Sequence, residues 1–174
     1  MNFRNSKSVR KVLTLGTASA AVSVSALASA APSLAMPTDY QDCTSKSISV
    51  TRGQADVGAG VFRVPLTFTN IGSRECVISG SPTIQPVATG SGIHAVGPAA
   101  EPRGKATPTR IVLQPGQTAT ATLTDLNGAK TEQVANVDAL HVTLPSGGKQ
   151  INVPYDGLGA TDGVWLEIDT LHTR

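Results

Sequence analysis

The sequence predicts an all-β fold, a sandwich of two sheets. After Met36, apolar and polar residues alternate with period 2, as in strands that bury one face. Glycine, proline, asparagine and aspartate interrupt this alternation about every eight to twelve residues, the turn spacing typical of a sandwich. With 40% apolar and 15% charged residues, the chain is too hydrophobic and too weakly charged for a disordered tail.

The first long strand is predicted at residues 62–68, where four apolar side chains occupy alternate positions. Pro65 lies within it. Because proline cannot donate a ladder hydrogen bond, this residue predicts an edge strand or a place beside a bulge. Residues 70–73 then have the composition of a turn, and residues 76–78 are predicted to begin the next strand.

The middle of the chain is rich in glycine and proline, so its predicted strands are short. Strands are expected at residues 83–87 and 93–96. Residues 110–113 and 118–124 are predicted to pair as a hairpin around residues 114–116. Proline at the second position of that turn and glycine at the third are the type II preference.

The last third of the chain contains three further predicted strands. Residues 131–136 are expected to form a short helical turn. The strand at 140–144 is followed by a turn at 145–148 and a strand at 151–155, and the last strand covers 164–168. Together these elements give about eight strands and no long amphipathic helix.

The N-terminal segment has the features of an export signal. Residues 1–11 carry four basic side chains and no acid, and residues 12–30 carry no charge. Small residues at 28–30 predict cleavage after Ala30, and those at 33–35 offer a second site. The alternative is a retained membrane anchor, which would need a longer run of large aliphatic residues. Cys43 lies too far beyond the apolar run for a lipoprotein.

The chain is therefore predicted to contain three segments: a signal peptide at 1–30, a linker at 31–42 and a sandwich domain at 43–174. All basic residues of the first segment are lost on cleavage. The formal charge of +2 then becomes −2, because ten basic residues remain against twelve acidic ones. This balance predicts no nucleic-acid partner, and no membrane span is expected after cleavage.

The two cysteines, Cys43 and Cys76, both follow the signal. An even number in an oxidising compartment predicts one disulfide, which would stabilise the fold by about 3–4 kcal/mol. The alternatives are metal ligation or a catalytic thiol. Metal ligation needs a cluster, and neither cysteine has a C-x-x-C partner or a nearby histidine in sequence.

Four segments follow one another along the chain: Cys43, FTNIGSREC at 68–76, GSP at 80–82 and LQPGQTATATL at 113–123. In this order they resemble the domain of unknown function 4232 family. The resemblance covers about residues 43–168 and implies an immunoglobulin-like sandwich in an exported actinobacterial protein, with no established activity. A second cysteine pair found in many members is missing, and Ser81 stands in place of an aromatic residue. The family provides no catalytic residues to carry over.

The catalytic inventory is sparse. There is no G-x-S-x-G, H-E-x-x-H, P-loop or G-x-G-x-x-G motif, and His94, His141 and His172 are scattered. Residues 156–163 contain acids that could bind calcium, but Asp-Gly pairs serve turns equally well. We therefore expect no catalytic residue, no metal and no cofactor.

Two surface features are candidates for binding. Trp165, Glu167 and Asp169 alternate along the last strand, and an exposed tryptophan between acids would suit a sugar or a basic protein. The alternative, which the small number of aromatic residues favours, is that Trp165 covers the end of the sandwich or points inward.

The second feature is a predicted exposed loop that carries Glu101, Arg103 and Lys105. We expect a secreted, non-enzymatic binding module of the cell envelope or medium, whose partner is a protein or an envelope polymer. One alternative is a small hydrolase assembled from distant residues, with His141 as its base. Another is a protease inhibitor that presents the loop 98–108. No feature of the sequence indicates an oligomeric state.

Overall fold

Twelve strands form the fold in the computed structural model, which describes residues 40–58, 61–104, 107–126 and 134–173. The predicted signal peptide and its cleavage site at Ala30 lie outside these residues. The strands are β1 Ile48–Arg52, β2 Asp56–Gly58, β3 Val61–Asn70, β4 Cys76–Ile78, β5 Thr83–Ala88, β6 His94–Ala95, β7 Glu101–Pro102, β8 Ile111–Leu113, β9 Thr118–Asp125, β10 Val134–Thr143, β11 Ile151–Ala160 and β12 Leu166–Ile168.

The strands form two main sheets and one small one. The larger sheet has the order β1-β3-β9-β12-β7, with β2 also paired to β3. The second has the order β11-β10-β5-β6, and β4 pairs with β8 alone. No helix occurs among the described residues, and every pairing between strands is antiparallel except that of β7 with β12. The predicted all-β sandwich is confirmed.

The core consists of the inward-facing residues of both sheets. In β3 the predicted alternation is confirmed from Val64 onward, where every second side chain is buried. Phe68, Leu66, Leu123 and Leu140 are among the fully buried side chains. Each such side chain contributes about 1.5–3 kcal/mol through removal from water, so one continuous core stabilises both sheets.

Of the two positions predicted for the strand containing Pro65, the edge is wrong, because β3 lies between β9 and the β1–β2 side of its sheet. The bulge is confirmed, because residues 53–55 oppose only Val64 and Pro65 between the paired parts of β1 and β2. The carbonyl of Pro65 accepts a hydrogen bond from Gly53, at 2.8 Å, in the interruption between β1 and β2. In an antiparallel pair the amide and carbonyl of one residue face the same neighbour. The nitrogen of Pro65, which has no hydrogen to donate, therefore faces this interruption. The β3–β9 ladder loses no hydrogen bond.

The predicted hairpin around residues 114–116 is also wrong, although the turn itself forms. Gln117 donates to the Gln114 carbonyl at 2.9 Å, and Gly116 has φ of +82°, as the third position of a type II turn requires. However, β8 pairs with β4, whereas β9 pairs with β3 and β12. The turn thus carries the chain from one sheet to another.

The helical turn predicted at 131–136 is wrong in its described part, because β10 begins at Val134; residues 131–133 lie outside the described residues. The acidic segment at 156–163 is mostly strand, since β11 continues to Ala160. In that region Tyr155 and Asp156 oppose Asp138 alone, which makes a bulge. In both segments, pairing between β10 and β11 outweighs the local preference of the residues for turns.

Candidate functional site

The predicted disulfide between Cys43 and Cys76 is confirmed. Their Cα atoms are 4.9 Å apart, and both side chains are buried. Two backbone hydrogen bonds accompany the disulfide: Cys43 donates to the Val77 carbonyl at 2.8 Å, and Val77 donates to the Gln41 carbonyl at 2.9 Å. The segment that precedes Cys43 is thus fixed along the side of β4.

Asn70, at the end of β3, joins two turns beside the disulfide. Its side chain is fully buried, and its Nδ2 donates to the carbonyls of Leu113 and Arg74, each at 2.8 Å. Its Oδ1 accepts from the amide of Gly72 at 2.9 Å, which makes an Asx turn. The backbone of Asn70 also bonds to Gly116 and Gln117. One residue therefore fixes the turn after β3 and the turn after β8.

A pocket lies at this end of the sandwich; we call it the Arg74 pocket. It is an open surface pocket of about 520 Å³. Three segments build it: the chain before Cys43, the turn after β3 and the turn after β8. The lining residues are Tyr40, Gln41, Ser73, Arg74, Glu75, Gln114 and Pro115. All but Pro115 have a side chain that can form hydrogen bonds.

The charged groups of the Arg74 pocket are partly pre-positioned. Gln114 Nε2 donates to the Glu75 carboxylate at 2.8 Å, and the Gln114 amide donates to Gln117 Oε1 at 2.9 Å. Arg74 is exposed, and its backbone carbonyl accepts a hydrogen bond from Asn70 Nδ2. The pocket therefore offers a carboxylate and an amide that are bonded to each other, beside an exposed arginine.

A second cleft of about 410 Å³ lies between β11 and the sheet of β1 and β3. Its half-buried Tyr155 lies beneath Arg52, whose guanidinium carbon is 5.3 Å from the ring centroid, within cation–π range. Burial raises the pKa of the Tyr155 hydroxyl, the nearby Asp125 carboxylate raises it further, and Arg52 partly offsets both. The shift has its effect only in alkali, because a tyrosine with the ordinary pKa is already protonated at neutral pH.

The raised pKa of Tyr155 predicts a loss of stability in alkali. The folded state holds the phenolic proton more tightly than the unfolded chain does, so the contribution is complete below about pH 10 and is lost as pH rises through the folded-state pKa. We expect the free energy of unfolding to fall as the pH rises above about 10. Denaturant titrations at these pH values should show a smaller fall for Tyr155→Phe than for the wild type. An equal fall in both proteins would show that Tyr155 does not cause the alkaline loss of stability.

The candidate patch at Trp165, Glu167 and Asp169 is wrong as a surface, because Trp165 is only 2% exposed. The alternative of an inward-pointing tryptophan is confirmed. The indole fits there because two neighbours have no side chain: a Cβ on Gly159 would lie 2.6 Å from the ring, and one on Gly97 would lie 3.1 Å from Nε1. The alternation that suggested exposure begins only at Leu166, where β12 starts.

The two acidic residues of that patch, Glu167 and Asp169, do not form a binding surface with Trp165. Glu167 pairs with Arg103 at 3.5 Å, and the side chains are 31% and 46% exposed, so this bridge contributes less than about 1 kcal/mol. Asp169 is half-buried, and its amide donates to the Thr122 carbonyl at 3.1 Å. The ion pair instead joins the last strand to the loop that was predicted to be exposed.

The predicted loop is partly tied to the larger sheet. Glu101 is exposed in β7, which pairs in parallel with β12. The amide of Arg103 donates to the Ile168 carbonyl at 2.8 Å, and its Nη1 donates to the Thr124 hydroxyl at 3.3 Å. Lys105 lies outside the described residues. Arg103 thus lies against the sheet and is not presented at a loop tip, as an inhibitor would require.

Histidines do not line the Arg74 pocket or the Tyr155 cleft. His141 lies between Gln85 and Asn152 on neighbouring strands, and neither of these carries a carboxylate. Within the described ranges, no three His, Cys, Asp or Glu side chains come together as a metal site would need. The same residues contain no helix able to cross a membrane.

Of the residues that line the Arg74 pocket, the sequence identified only Ser73, Gln114 and Pro115, and only as turn residues. Residues 70–76 and 113–117 carry the family resemblance, and in the structure both segments meet at Asn70. The available signal was therefore the presence of polar side chains, Arg74, Glu75 and Gln114, within two separate motif segments. Tyr40 gave no signal of its own.

Comparison with known proteins supports the resemblance. No curated protein matches the chain in sequence. A solved structure of β-glucosidase 3B from Thermotoga neapolitana, in complex with glucose, matches 65% of this chain and 17% of its own, with 14% identity and a TM-score of 0.26. A match at this level supports no argument about fold or function. The family profile described as "Domain of unknown function (DUF4232)" matches residues 43–172. The chain belongs to the DUF4232 family.

Proposed function

We propose that this protein is an exported, non-enzymatic binding module that holds a hydrogen-bonding ligand in the Arg74 pocket. The observation that carries the proposal is the fixed architecture of that pocket. A disulfide, the buried Asn70 and a type II turn hold its three walls. A site whose walls are already ordered loses little conformational entropy when it binds.

The volume of the pocket supports this role. At about 520 Å³ it falls within the range of small-molecule sites, roughly 300–1,000 Å³. Its polar groups come from three separate segments and converge on one space. Such convergence fixes the orientation of a ligand, which is the source of specificity in binding sites.

The chemistry of the lining favours binding over catalysis. Among the described lining residues, Ser73 and the phenol of Tyr40 provide the hydroxyls, and no histidine stands beside them as a base. Glu75, the carboxylate among these residues, already accepts a hydrogen bond from Gln114. An activated nucleophile needs a free base within hydrogen-bond reach, and this lining does not place one there.

Export is supported by the disulfide and by the N-terminal sequence, because buried disulfides persist mainly in oxidising compartments. We expect protein recovered from the culture medium or envelope to begin at Ala31, or at Met36 if the second cleavage site is used. Intact-mass measurement and N-terminal sequencing will show which. A recovered protein that still begins at Met1 would contradict export with cleavage.

The binding role is tested by blocking the pocket. Ser73 is exposed in its lining, so Ser73→Trp fills the space without disturbing the core. The matched control is Ser91→Trp, an exposed serine in the turn between β5 and β6. We expect the wild type and the control to cosediment with a cell-envelope preparation of the producing organism, and the Ser73 variant to lose at least about tenfold in affinity, roughly 1.4 kcal/mol. Equal retention of all three proteins would refute the site.

A further inference from the structure

We infer that the ligand of the Arg74 pocket is a neutral saccharide, such as one unit of an envelope polysaccharide. This inference rests on the proposed function and specifies its ligand. It follows from three properties of the lining: its hydrogen-bonding inventory, its charge balance and its single aromatic ring.

The lining presents donors and acceptors side by side. Arg74 offers donors only, Glu75 offers acceptors only, and Gln41 and Gln114 each offer both. A matching ligand must supply acceptors and donors within a few ångströms of each other. A hydroxyl group does this with one donor and two lone pairs, and a saccharide ring carries several hydroxyls.

The charge balance of the lining favours neutral ligands over strongly charged ones. Arg74 and Glu75 are consecutive residues of opposite sign, and the other lining side chains are neutral. A phosphate or carboxylate ligand would meet the negative charge of Glu75, whose carboxylate accepts a hydrogen bond from Gln114 at 2.8 Å. A cationic ligand would meet the Arg74 guanidinium. A neutral hydroxyl can accept a hydrogen bond from the guanidinium and donate one to the carboxylate; such bonds are stronger than those between neutral groups and carry no such repulsion.

The apolar part of the lining favours a sugar over a peptide. It consists of the half-buried Tyr40 ring and Pro115. An aromatic face beside polar groups suits a ring that has one apolar face of C–H groups and hydroxyls at its edge. A protein partner would need a larger apolar centre, because the buried core of a protein interface is rich in aromatic residues and methionine.

The inference is tested by NMR titration of the ¹⁵N-labelled full chain, produced with its disulfide formed. The probes are neutral oligosaccharides of glucose, galactose, mannose and arabinose, with inorganic phosphate and a lysine-containing tripeptide as charged probes. We expect at least one neutral oligosaccharide to shift the amide signals of Ser73, Arg74 and Glu75. The charged probes should shift them at least tenfold more weakly at equal concentration.

Two pairs of variants give the specificity control. Gln114→Ala and Arg74→Gln should each weaken saccharide binding by at least tenfold. Gln150→Ala and Arg110→Gln replace the same residue types at exposed positions outside the pocket and should bind as the wild type does. ¹⁵N spectra will confirm that all four variants are folded.

The outcomes separate this inference from the proposed function. Saccharide shifts confined to the pocket and lost in the two pocket variants support both. If phosphate or the tripeptide shifts the same amides and every saccharide fails, the ligand class is wrong, and the pocket remains a binding site. If no probe shifts these amides and Ser73→Trp also cosediments with the envelope, both the inference and the proposed function are overturned.

Discussion

Replacement of Asn70 with alanine is expected to lower the free energy of unfolding by about 3–4 kcal/mol. The change removes the three hydrogen bonds of the Asn70 side chain, to the Leu113 carbonyl, the Arg74 carbonyl and the Gly72 amide. A hydrogen bond inside a protein contributes about 0.5–1.5 kcal/mol to stability, so the loss of all three accounts for the expected fall. Urea denaturation at neutral pH measures the effect.

The matched control is Asn152→Ala, because Asn152 is exposed on β11. We expect it to change the unfolding free energy by less than about 0.5 kcal/mol, as surface substitutions usually do. The Asn70 variant should also lose affinity in the cosedimentation assay, because the carbonyl of Arg74 is no longer held. An Asn70→Ala protein within about 1 kcal/mol of the wild type would contradict the central structural role of this residue.

Loss of the disulfide is the other large effect. A Cys43→Ser, Cys76→Ser double variant is expected to lose about 3–4 kcal/mol of stability, because the cross-link limits the entropy of the unfolded chain. The segment before Cys43 would also lose its covalent link to β4. Since Gln41 and Tyr40 line the pocket, ligand affinity should fall together with stability.

Reductant provides the control for the disulfide experiment. Dithiothreitol in the denaturation buffer should lower the stability of the wild type to about that of the double variant, and it should leave the variant unchanged. If the variant denatures at the same urea concentration as the oxidised wild type, the disulfide does not stabilise the fold. A variant that loses stability and keeps full affinity would show that the pocket does not depend on the disulfide.

Local patterns predicted much of this fold. The alternation around Phe68 identified a strand with one buried face, and the two cysteines identified the covalent link. Both features are encoded within a few residues, because strand periodicity and the cysteine count need no knowledge of partners. The type II turn at Gly116 is local in the same sense.

The errors concern choices between distant partners. Residues 110–113 have no local reason to pair with Cys76–Ile78 in preference to the strand after the turn. The hydrogen bond from Asn70 to the Leu113 carbonyl, which supports that pairing, comes from 43 positions away. Trp165 is buried because Gly97 and Gly159 leave room for its ring. Space created by distant glycines is invisible to strand periodicity.

The candidate site could be predicted least. Its side chains come from three segments that only the folded chain brings together: the residues before Cys43, the turn after β3 and the turn after β8. Each segment alone has the composition of an ordinary turn. The charge pair Arg74–Glu75 and the amide of Gln114 gain meaning only from their convergence on one cavity.

The most direct test of the binding role is a crystal structure of the full chain with the envelope-derived ligand bound. The proposal predicts ligand density in the Arg74 pocket, with hydrogen bonds to Arg74 and Gln114 and a ring against Tyr40. Density in the Tyr155 cleft, or elsewhere on the sandwich, with solvent in the Arg74 pocket would contradict it.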